Sequence, residues 1–442
     1  MARSNTILNT NLFTPAPRTH EGAIARRIGP EAELRRSIMA CMLFEGEFYE
    51  SGASIYKRIQ ALVPTVRPET VAQIAIDART QMNLRHAPLM LVREMARHAS
   101  HRPLVRQTLS QVIQRADELA EFVAMYWKDG KQPLAASVKK GLADAFPKFN
   151  AYQLAKYNRD NPVKLRDVLF LSHARPKDAE QALTWKQLVD GTLASPDTWE
   201  VELSAGKGEA KKESWERLLS ENKLGALALI RNLRNMLGVG VDDNHIRRAL
   251  REMKTERVLP FRFLAAVRHA PRFAPELEAA MLRNLSDQPK LKGHTVILVD
   301  ISGSMDAALS SKSEMLRMDA AIGLAVMGRE MCESVSVASF STYTREIPAY
   351  RGLGLADAIK KSQPHNSTDL RGAVAWANQQ RYDRLIVITD EQSATVPPTP
   401  NGLGYVINVA SYKNGIGYGP WLHLDGFSEK IMDYIRIYEQ GD

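Results

Sequence analysis

Apolar residues recur at spacings of three and four along residues 23–285 of this 442-residue chain. This spacing places apolar side chains on one face of an α-helix, and proline or glycine separates the periodic segments. The pattern predicts helices at Ala32–Phe44, Thr70–Ala78, Pro88–Ala99, Leu104–Ala116, Leu119–Trp127 and Ala135–Phe146. Short helices in series predict antiparallel pairs stacked as an α-solenoid, although no sharp repeat consensus is visible.

A further helical region covers Glu213–Gly238 and is predicted to break near Gly225. Its apolar positions form a single stripe, which we assign to the core. Arg231 and Arg234 lie on the opposite side, where they either face solvent or contact a ligand.

The pattern changes at Leu291, where short apolar runs begin to alternate with helical segments. Strands are predicted at 295–299, 334–340, 384–389 and 404–410, with helices near 314–332, 354–362, 369–380 and 428–440. This alternation predicts a mostly parallel sheet covered by helices on both faces. The fold class is therefore α plus α/β, with a polar leader at 1–22, a helical domain at 23–290 and an α/β domain at 291–442.

Composition excludes several classes of protein. A hydrophobic content of 44% and a charged content of 25% are typical of globular chains, and no apolar run is long enough to span a bilayer. The N-terminus lacks the apolar core of a secretory signal, and the two cysteines, Cys41 and Cys332, lie far apart. We therefore expect a reducing, cytoplasmic location without disulfides or a membrane partner.

The net charge of +9 is unevenly distributed along the chain. Residues 1–290 hold 45 Lys and Arg against 33 Asp and Glu, whereas residues 291–442 hold 14 against 17. The basic excess belongs to the helical part, which indicates a polyanionic partner with nucleic acid as the first candidate. The alternative is that these cations only solvate the helix surfaces.

Polar side chains follow the first predicted strand. His294–Met305, HTVILVDISGSM, is an apolar run that ends at Asp300, with Ser302 and Ser304 at alternate positions after it. Carboxylate and hydroxyl oxygens are hard ligands that suit Mg²⁺ foremost, or Mn²⁺ and Ca²⁺. The D-x-S-x-S spacing resembles the metal-ion-dependent adhesion site of von Willebrand factor A domains.

The resemblance extends to two later loops. The A-domain family completes its metal site with a threonine and with an aspartate after its fourth strand, and Thr368 and Asp390 match those positions. The resemblance implies direct ligation by Ser302, Ser304 and Thr368, with the carboxylates often acting through water. Two alternatives stay open, because serine and aspartate also cap helices and turns, and because an ion can simply stiffen three loops.

The helical part resembles the TROVE domain of the Ro autoantigen family and of telomerase-associated and vault proteins. Lys156–Pro176, KYNRDNPVKLRDVLFLSHARP, is similar to the signature region of that domain. LRHAPLMLVREMAR, LGALALIRNLRNM and LPFRFLAAV match in order, and VDISGSM, NSTDLRGAVAWA and IVITDE resemble the A domain of Ro proteins. The resemblance covers roughly residues 30–440.

Membership of the Ro family implies a ring of HEAT-like helical repeats whose ends are bridged by the A domain. It also implies a non-catalytic, monomeric protein that binds non-coding RNA. Single-stranded 3′ ends of misfolded RNA would enter a basic hole, and Y-like RNA would bind an outer surface. Bacterial relatives act in RNA quality control with an exoribonuclease such as polynucleotide phosphorylase.

Cations and stacking side chains identify the candidate RNA contacts, because phosphates attract Lys and Arg and unpaired bases stack on His, Tyr and Arg. Lys156 and His173 match basic positions of the family, whereas Asp160 and Phe170 stand where the family has arginine. His173 is alternatively a helix-capping residue. The predicted RNA contacts are Lys156, Tyr157, Arg159, Arg166, His173, Arg175, Arg93, Arg97, Arg231 and Arg234.

Two other functions compete with RNA binding. A metal-dependent nuclease needs clustered carboxylates that bridge two ions, and only Asp300 and Asp390 are available. An adaptor would use the A domain to bind an acidic partner and the helices only as a scaffold. The adaptor would be favoured if the protein does not bind single-stranded RNA but captures a partner protein in a metal-dependent manner.

Overall fold

The computed structural model describes residues 29–39, 52–81, 84–194, 209–255, 258, 260–286, 288–308, 315–410, 415, 419–426 and 430–440. The predicted leader at 1–22 and Cys41 lie outside these residues. No helix in the described ranges has both the length and the apolar character needed to cross a bilayer.

The N-terminal part is helical, as the periodicity predicts. Its helices are α1 (Pro30–Met39), α2 (Gly52–Leu62), α3 (Pro68–Thr80), α4 (His86–Arg97), α5 (Arg102–Val112), α6 (Ala116–Tyr126), α7 (Ala136–Ala145), α8 (Ala151–Tyr157), α9 (Leu165–Ser172) and α10 (Ala179–Asp190). Helices α3, α5, α7 and α9 pack in one row, and α4 and α6 pack in a second row beside it. Helices two apart in sequence are therefore neighbours, as in stacked helical repeats.

Five more helices follow the undescribed segment at 195–208. They are α11 (Glu209–Ser220), α12 (Ala226–Gly238), α13 (Asp243–Glu252), α14 (Pro260–His269) and α15 (Ala274–Ser286). The same two-row pattern continues, since α11 packs on α13 and α12 packs on α14. The predicted break at Gly225 is confirmed, because this residue is the N-cap of α12.

The α/β unit begins at Leu291. Its elements are β1 (Leu291–Asp300), α16 (Arg317–Met331), β2 (Cys332–Phe340), β3 (Thr344–Ile347), α17 (Gly352–Lys360), α18 (Leu370–Ala377), β4 (Arg384–Thr389), β5 (Leu403–Asn408), β6 (Trp421–Asp425) and α19 (Lys430–Gln440). The sheet order is β3-β2-β1-β4-β5-β6, and β3 alone runs antiparallel. The chain moves from β1 to β2 on one side and later to β4 on the other. The carboxyl ends of β1 and β4 therefore form the switch point, where open α/β sheets bind ligands.

Buried residues form separate cores. One core lies among α1–α10, from Leu34 to Leu188. A second core runs without interruption from Trp215 in α11 to Ile435 in α19 and covers one face of the sheet. A third core fills the other face of the sheet under α18. Both faces of the sheet are covered, as the apolar strands predict.

Both ends of the helical region contact the α/β unit. Helices α14 and α15 pack on α16, and α1 has Cα atoms within 8 Å of β6. Arg268 of α14 pairs with Asp319 of α16 at 2.8 Å between Nη1 and Oδ2. The α/β unit thus joins the first and last described helices of the helical region.

Candidate metal centre and nucleic-acid interface

The DISGS loop leaves the switch point directly after β1. Asp300 is the last residue of β1, and it is fully buried. Its Oδ1 accepts a hydrogen bond of 2.9 Å from the backbone N–H of Ser302, and its Oδ2 accepts one of 2.6 Å from the hydroxyl of Thr389. The hydroxyls of Ser302 and Ser304 lie 3.3 Å apart. The loop therefore gathers one carboxylate and two serine hydroxyls.

Asp390 lies at the end of the neighbouring strand β4, and it is also fully buried. Burial first, and then the negative charge of Asp390, raises the pKa of Asp300 to about 7. Two buried carboxylates that repel each other favour a cation between them, because a cation removes both the repulsion and the desolvation cost.

The loop that carries Thr368 is hydrogen-bonded to the other two loops. The backbone N–H of Gly303 donates to the carbonyl of Asn366 at 3.1 Å, and the hydroxyl of Ser393 donates to the carbonyl of Thr368 at 3.3 Å. Thr368 is half-buried. The structure therefore brings together the three loops that the sequence selects for metal binding.

The donor set fits a hard divalent cation. It consists of two carboxylates and three hydroxyls, and the part of the chain that the structure describes contains no group of three His, Cys, Asp or Glu side chains suited to a metal. Ser302, Ser304 and Thr368 would supply neutral ligands and Asp300 and Asp390 the charge.

An arginine that the sequence analysis missed reaches this site. Arg317 is the first residue of α16 and is 1% exposed, and its Nη1 lies 3.5 Å from Oδ2 of Asp390. The backbone N–H of Arg317 also donates to the carbonyl of Ala307 at 2.9 Å. The available signal was a cation at the start of a mostly apolar helical run.

A second buried pair of polar side chains lies beside the loops of the candidate metal site. Glu391 follows Asp390, has a φ of 60° and pairs with His423 of β6. Both side chains are almost completely buried. Positive φ is rare for a residue other than glycine, so the Glu391–His423 pair fixes a costly turn directly after β4.

The segment from Lys156 to Arg175 exposes most of its basic side chains to solvent. Arg159, Arg166, His173 and Arg175 are exposed, whereas Lys156 is half-buried. None of the four exposed residues forms an ion pair with a described carboxylate. His173 also ends α9 in the left-handed conformation, with a φ of 54°, so the helix-capping alternative and an exposed ring both apply.

Tyr157 is less available than the sequence predicts. The guanidinium of Arg115 lies 4.7 Å from its ring centre, and the Nζ of Lys156 lies 6.0 Å away. At least one face of the ring therefore carries a cation–π contact within the protein.

A basic groove of about 870 Å³ opens between α5, α7 and α9. Its basic lining residues are Arg106, Lys139, Lys140, His173 and Arg175, and Asp144 is its one described carboxylate. Arg106 is neutralised by Asp144 at 2.6 Å. Lys139, Lys140 and Arg175 have no carboxylate partner among the described residues.

The groove depends on a close approach of α5 and α7. A Cβ at Gly141 would lie 3.0 Å from the carbonyl oxygen of Arg106 and 3.0 Å from Cβ of Leu109. A larger residue at this position would push α5 and α7 apart by a few tenths of an ångström beside Lys139 and Lys140. The sequence analysis missed both lysines, because two adjacent lysines on a helix resemble a solvated pair.

The expectation for Arg93 is wrong. Arg93 is completely buried, and it pairs with Glu94 at 2.7 Å and with Asp129 at 2.6 Å. Its guanidinium belongs to the core of α4, and it cannot reach an RNA on the surface. Arg97 is 29% exposed and shares Asp129 at 2.6 Å, so most of its charge is compensated.

Arg231 and Arg234 are exposed on α12, opposite buried Leu229, Leu233 and Met236. The predicted apolar stripe is therefore core, as expected. Burial lowers the pKa of Arg262 in α14, and the positive charge of Arg231 lowers it further. Two cations thus approach each other at this position, which favours an anion nearby.

Comparison with known proteins identifies the family. The family model of the TROVE domain matches residues 41–192 and 191–372 of this chain. The chain belongs to the TROVE domain family. Members of this family are RNA-binding components of ribonucleoproteins.

Two curated relatives are the telomerase protein component 1 of Rattus norvegicus and of Mus musculus. Each is 25% identical over 304 residues, with 48% of this chain and 11% of the relative covered. The chain therefore spans about a tenth of the length of these relatives.

The crystal structure of the Ro (Rsr) protein of Deinococcus radiodurans has the same fold, with a TM-score of 0.61. The two chains are 18% identical, and 92% of this chain and 99% of that chain are covered. The predicted fold class, helical repeats followed by an A-type α/β unit, is confirmed.

Proposed function

We propose that this TROVE protein binds non-coding RNA through the basic groove between α5, α7 and α9. The observation that carries the proposal is the set of uncompensated cations there. Lys139, Lys140 and Arg175 lack a described carboxylate partner, whereas Arg79, Arg93 and Arg384 elsewhere are paired. Cations without internal partners keep their full attraction for backbone phosphates.

The RNA class that fits is structured RNA with an unpaired 3′ end. A phosphate-binding groove tolerates any sequence, and exposed histidine and arginine planes stack on unpaired bases. Y-like RNA and misfolded non-coding RNA meet this description. We further propose that the bound RNA is handed to an exoribonuclease such as polynucleotide phosphorylase, with the protein itself acting as a non-catalytic component.

We also propose that the DISGS site binds Mg²⁺, with Mn²⁺ or Ca²⁺ as substitutes. Support comes from the two buried carboxylates, the adjacent serine hydroxyls and the three loops that converge on them. An ion that retains an open position could accept an acidic side chain of a partner protein. The site would then dock a partner while the groove holds RNA.

Binding of the full chain to a hairpin RNA with and without a single-stranded 3′ tail tests the RNA proposal. We expect tighter binding of the tailed RNA, and weaker binding of both RNAs by a Lys139→Gln/Lys140→Gln variant. The control variant Lys290→Gln/Lys292→Gln removes two exposed charges from the start of the α/β unit and should match the wild type. Absence of RNA binding at low salt, together with Mg²⁺-dependent capture of a protein partner, would instead favour the adaptor function.

Thermal unfolding with and without Mg²⁺ tests the metal site separately. We expect Mg²⁺ to raise the Tm of the wild type and to leave a Ser302→Ala/Ser304→Ala variant unchanged. Ser336→Ala, which alters a half-buried serine in β2, is the matched control. Equal stabilisation of all three proteins by Mg²⁺ would exclude this site.

A further inference from the structure

Phe170 is a large apolar side chain that lies open to solvent on the outer side of α9. It is 61% exposed, the largest exposed fraction among the large hydrophobic residues that the structure describes. Leu165 and Val168 of the same helix are buried in the helical core. Helix α9 therefore has a distinct inner face, and Phe170 is not part of it.

Basic side chains lie before and after Phe170 along the chain. Arg166 precedes it by four residues within α9, and such residues are neighbours on a helix surface. Arg166 lies about 6 Å from Phe170 along the helix axis. His173 follows Phe170 by three residues as the left-handed C-cap of the helix. Both are exposed, and neither forms an ion pair with a described carboxylate.

The basic groove continues from this face. His173 is exposed at the end of α9 and also lines the groove, as Arg175 and Lys139 do. An aromatic ring thus stands at the edge of a mainly cationic surface, in which Asp144 compensates Arg106 while Lys139, Lys140 and Arg175 have no carboxylate partner among the described residues. Cations close to an aromatic ring complement a nucleotide, which presents phosphates next to a flat base.

We propose that Phe170 is a platform on which an unpaired base of bound RNA stacks, while Arg166 and the basic groove hold the adjoining phosphates. This inference rests on the proposed RNA binding and adds selectivity for unpaired nucleotides. The bases of a duplex are already stacked on each other, so a duplex can use the cations but not the ring. A protein partner fits less well, because one apolar ring among cations is not a contiguous apolar patch.

The test uses the full chain and two RNAs of equal length, one a hairpin with an unpaired 3′ tail and one fully paired. A Phe170→Leu variant should weaken binding of the tailed RNA by about 5- to 100-fold and leave the paired RNA within about twofold. Phe170→Trp should retain tail binding, because the aromatic face is kept. Leu183→Ala, which alters another exposed apolar residue, should have no effect.

Two further readouts distinguish stacking from a general loss of structure. A 2-aminopurine base in the tail should lose fluorescence on binding to the wild type and keep it on binding to Phe170→Leu. Phe170→Arg should steepen the salt dependence of binding, with a log–log slope larger by about 0.7, since one phosphate contact replaces the ring.

The outcomes separate this inference from the proposed function. Unchanged tail affinity and unchanged 2-aminopurine fluorescence in Phe170→Leu would overturn the platform, while weakening by Lys139→Gln/Lys140→Gln would still support the groove. Equal weakening of both RNAs by Phe170→Leu would also overturn it. A wild-type protein that binds neither RNA at low salt would remove the proposed function and this inference together.

Discussion

Arg317 and Asp390 form an ion pair of 3.5 Å in which both side chains are almost completely buried. Asp390 is therefore paired with the guanidinium of Arg317. Burial and the charge of Asp390 favour the protonated form of its neighbour Asp300. This arrangement limits the repulsion between the two carboxylates when no metal is bound. It also makes Arg317 the residue that sets how much negative charge the site offers to an ion.

The first prediction concerns Arg317→Met, which keeps an apolar stem and removes the cation. In the presence of a chelator we expect the free energy of unfolding to fall by about 3–5 kcal/mol, because Asp390 loses its partner. Saturating Mg²⁺ should restore more stability in this variant than in the wild type, because the ion meets a more negative site. Denaturant unfolding in EDTA and in Mg²⁺ measures both effects.

Arg329→Met is the control for that experiment. Arg329 lies on the same helix, and its Nε donates to the carbonyl of Tyr350 at 3.4 Å. It should lose little stability and show no dependence on Mg²⁺. If Arg317→Met lowers the free energy of unfolding by the same amount in EDTA and in Mg²⁺, the role assigned to Arg317 is contradicted.

The second prediction concerns the contact between the helical region and the α/β unit. Asp319 is 3% exposed, and it both pairs with Arg268 and accepts a hydrogen bond of 2.8 Å from the backbone N–H of Leu316. Arg268→Ala should cost about 1–2 kcal/mol, because Asp319 keeps its capping bond but loses a charged partner. Hydrogen exchange should rise together in α14 and α16.

Arg272→Ala provides the comparison, because it breaks an exposed pair with Asp243 at 3.2 Å. Exposed pairs contribute about 0–1 kcal/mol, so this variant should be close to the wild type. If exchange in α16 is unaffected by Arg268→Ala, the pair does not couple the two parts.

The third prediction concerns acid stability at Glu276, which is 7% exposed. Burial alone would raise its pKa, but hydrogen bonds and charges from Arg247 and Arg251 hold the pKa below its usual value. A carboxyl group whose pKa is depressed by folding stabilises the protein at pH values above its unfolded-state pKa of about 4.3. That stability is lost as the pH falls through its folded-state pKa. Glu276→Gln should therefore lose stability at neutral pH and show a flatter acid limb in the pH dependence of unfolding.

Glu252→Gln, an exposed residue of α13, is the control and should keep the acid limb of the wild type. Parallel acid limbs for Glu276→Gln and the wild type would mean that Glu276 contributes nothing to acid stability.

The fourth prediction separates Arg93 from the surface cations. Arg93→Ala should cost about 3–5 kcal/mol, because it leaves the buried Glu94 with less compensation. Binding of RNA by the folded fraction should not change. Lys139→Gln should show the reverse, with unchanged Tm and weaker RNA binding. Reduced RNA affinity in a fully folded Arg93→Ala protein would show that Arg93 contributes to RNA binding.

The sequence locates the loops of the candidate metal site more accurately than the surface proposed for RNA. Asp300 and Asp390 follow strands whose apolar runs are local signals, and parallel strands bring their carboxyl ends together whatever the rest of the fold. The short strands β3 and β6 were not predicted, because four or five residues carry little periodicity. Asp300 and Asp390 were therefore placed correctly without the complete sheet.

The RNA surface depends on how helices pack. Arg93 and Arg97 share a helix face in sequence, but nearly every residue of α4 from Ala87 to Ala96 is buried, and spacing alone cannot show this. Lys139 and Lys140 become part of a groove only because α5, α7 and α9 meet, with Gly141 at the closest approach. These contacts are between distant segments, and a local pattern does not encode them.

The salt dependence of RNA binding tests the central claim most directly. Affinity for a tailed hairpin RNA would be measured from about 50 to about 200 mM KCl for the wild type, for Lys139→Gln/Lys140→Gln and for Lys290→Gln/Lys292→Gln. If the groove holds phosphates, the first variant lowers the log–log slope by about 1.5 and the second leaves it unchanged. Equal slopes and affinities for all three proteins would contradict RNA binding in the groove.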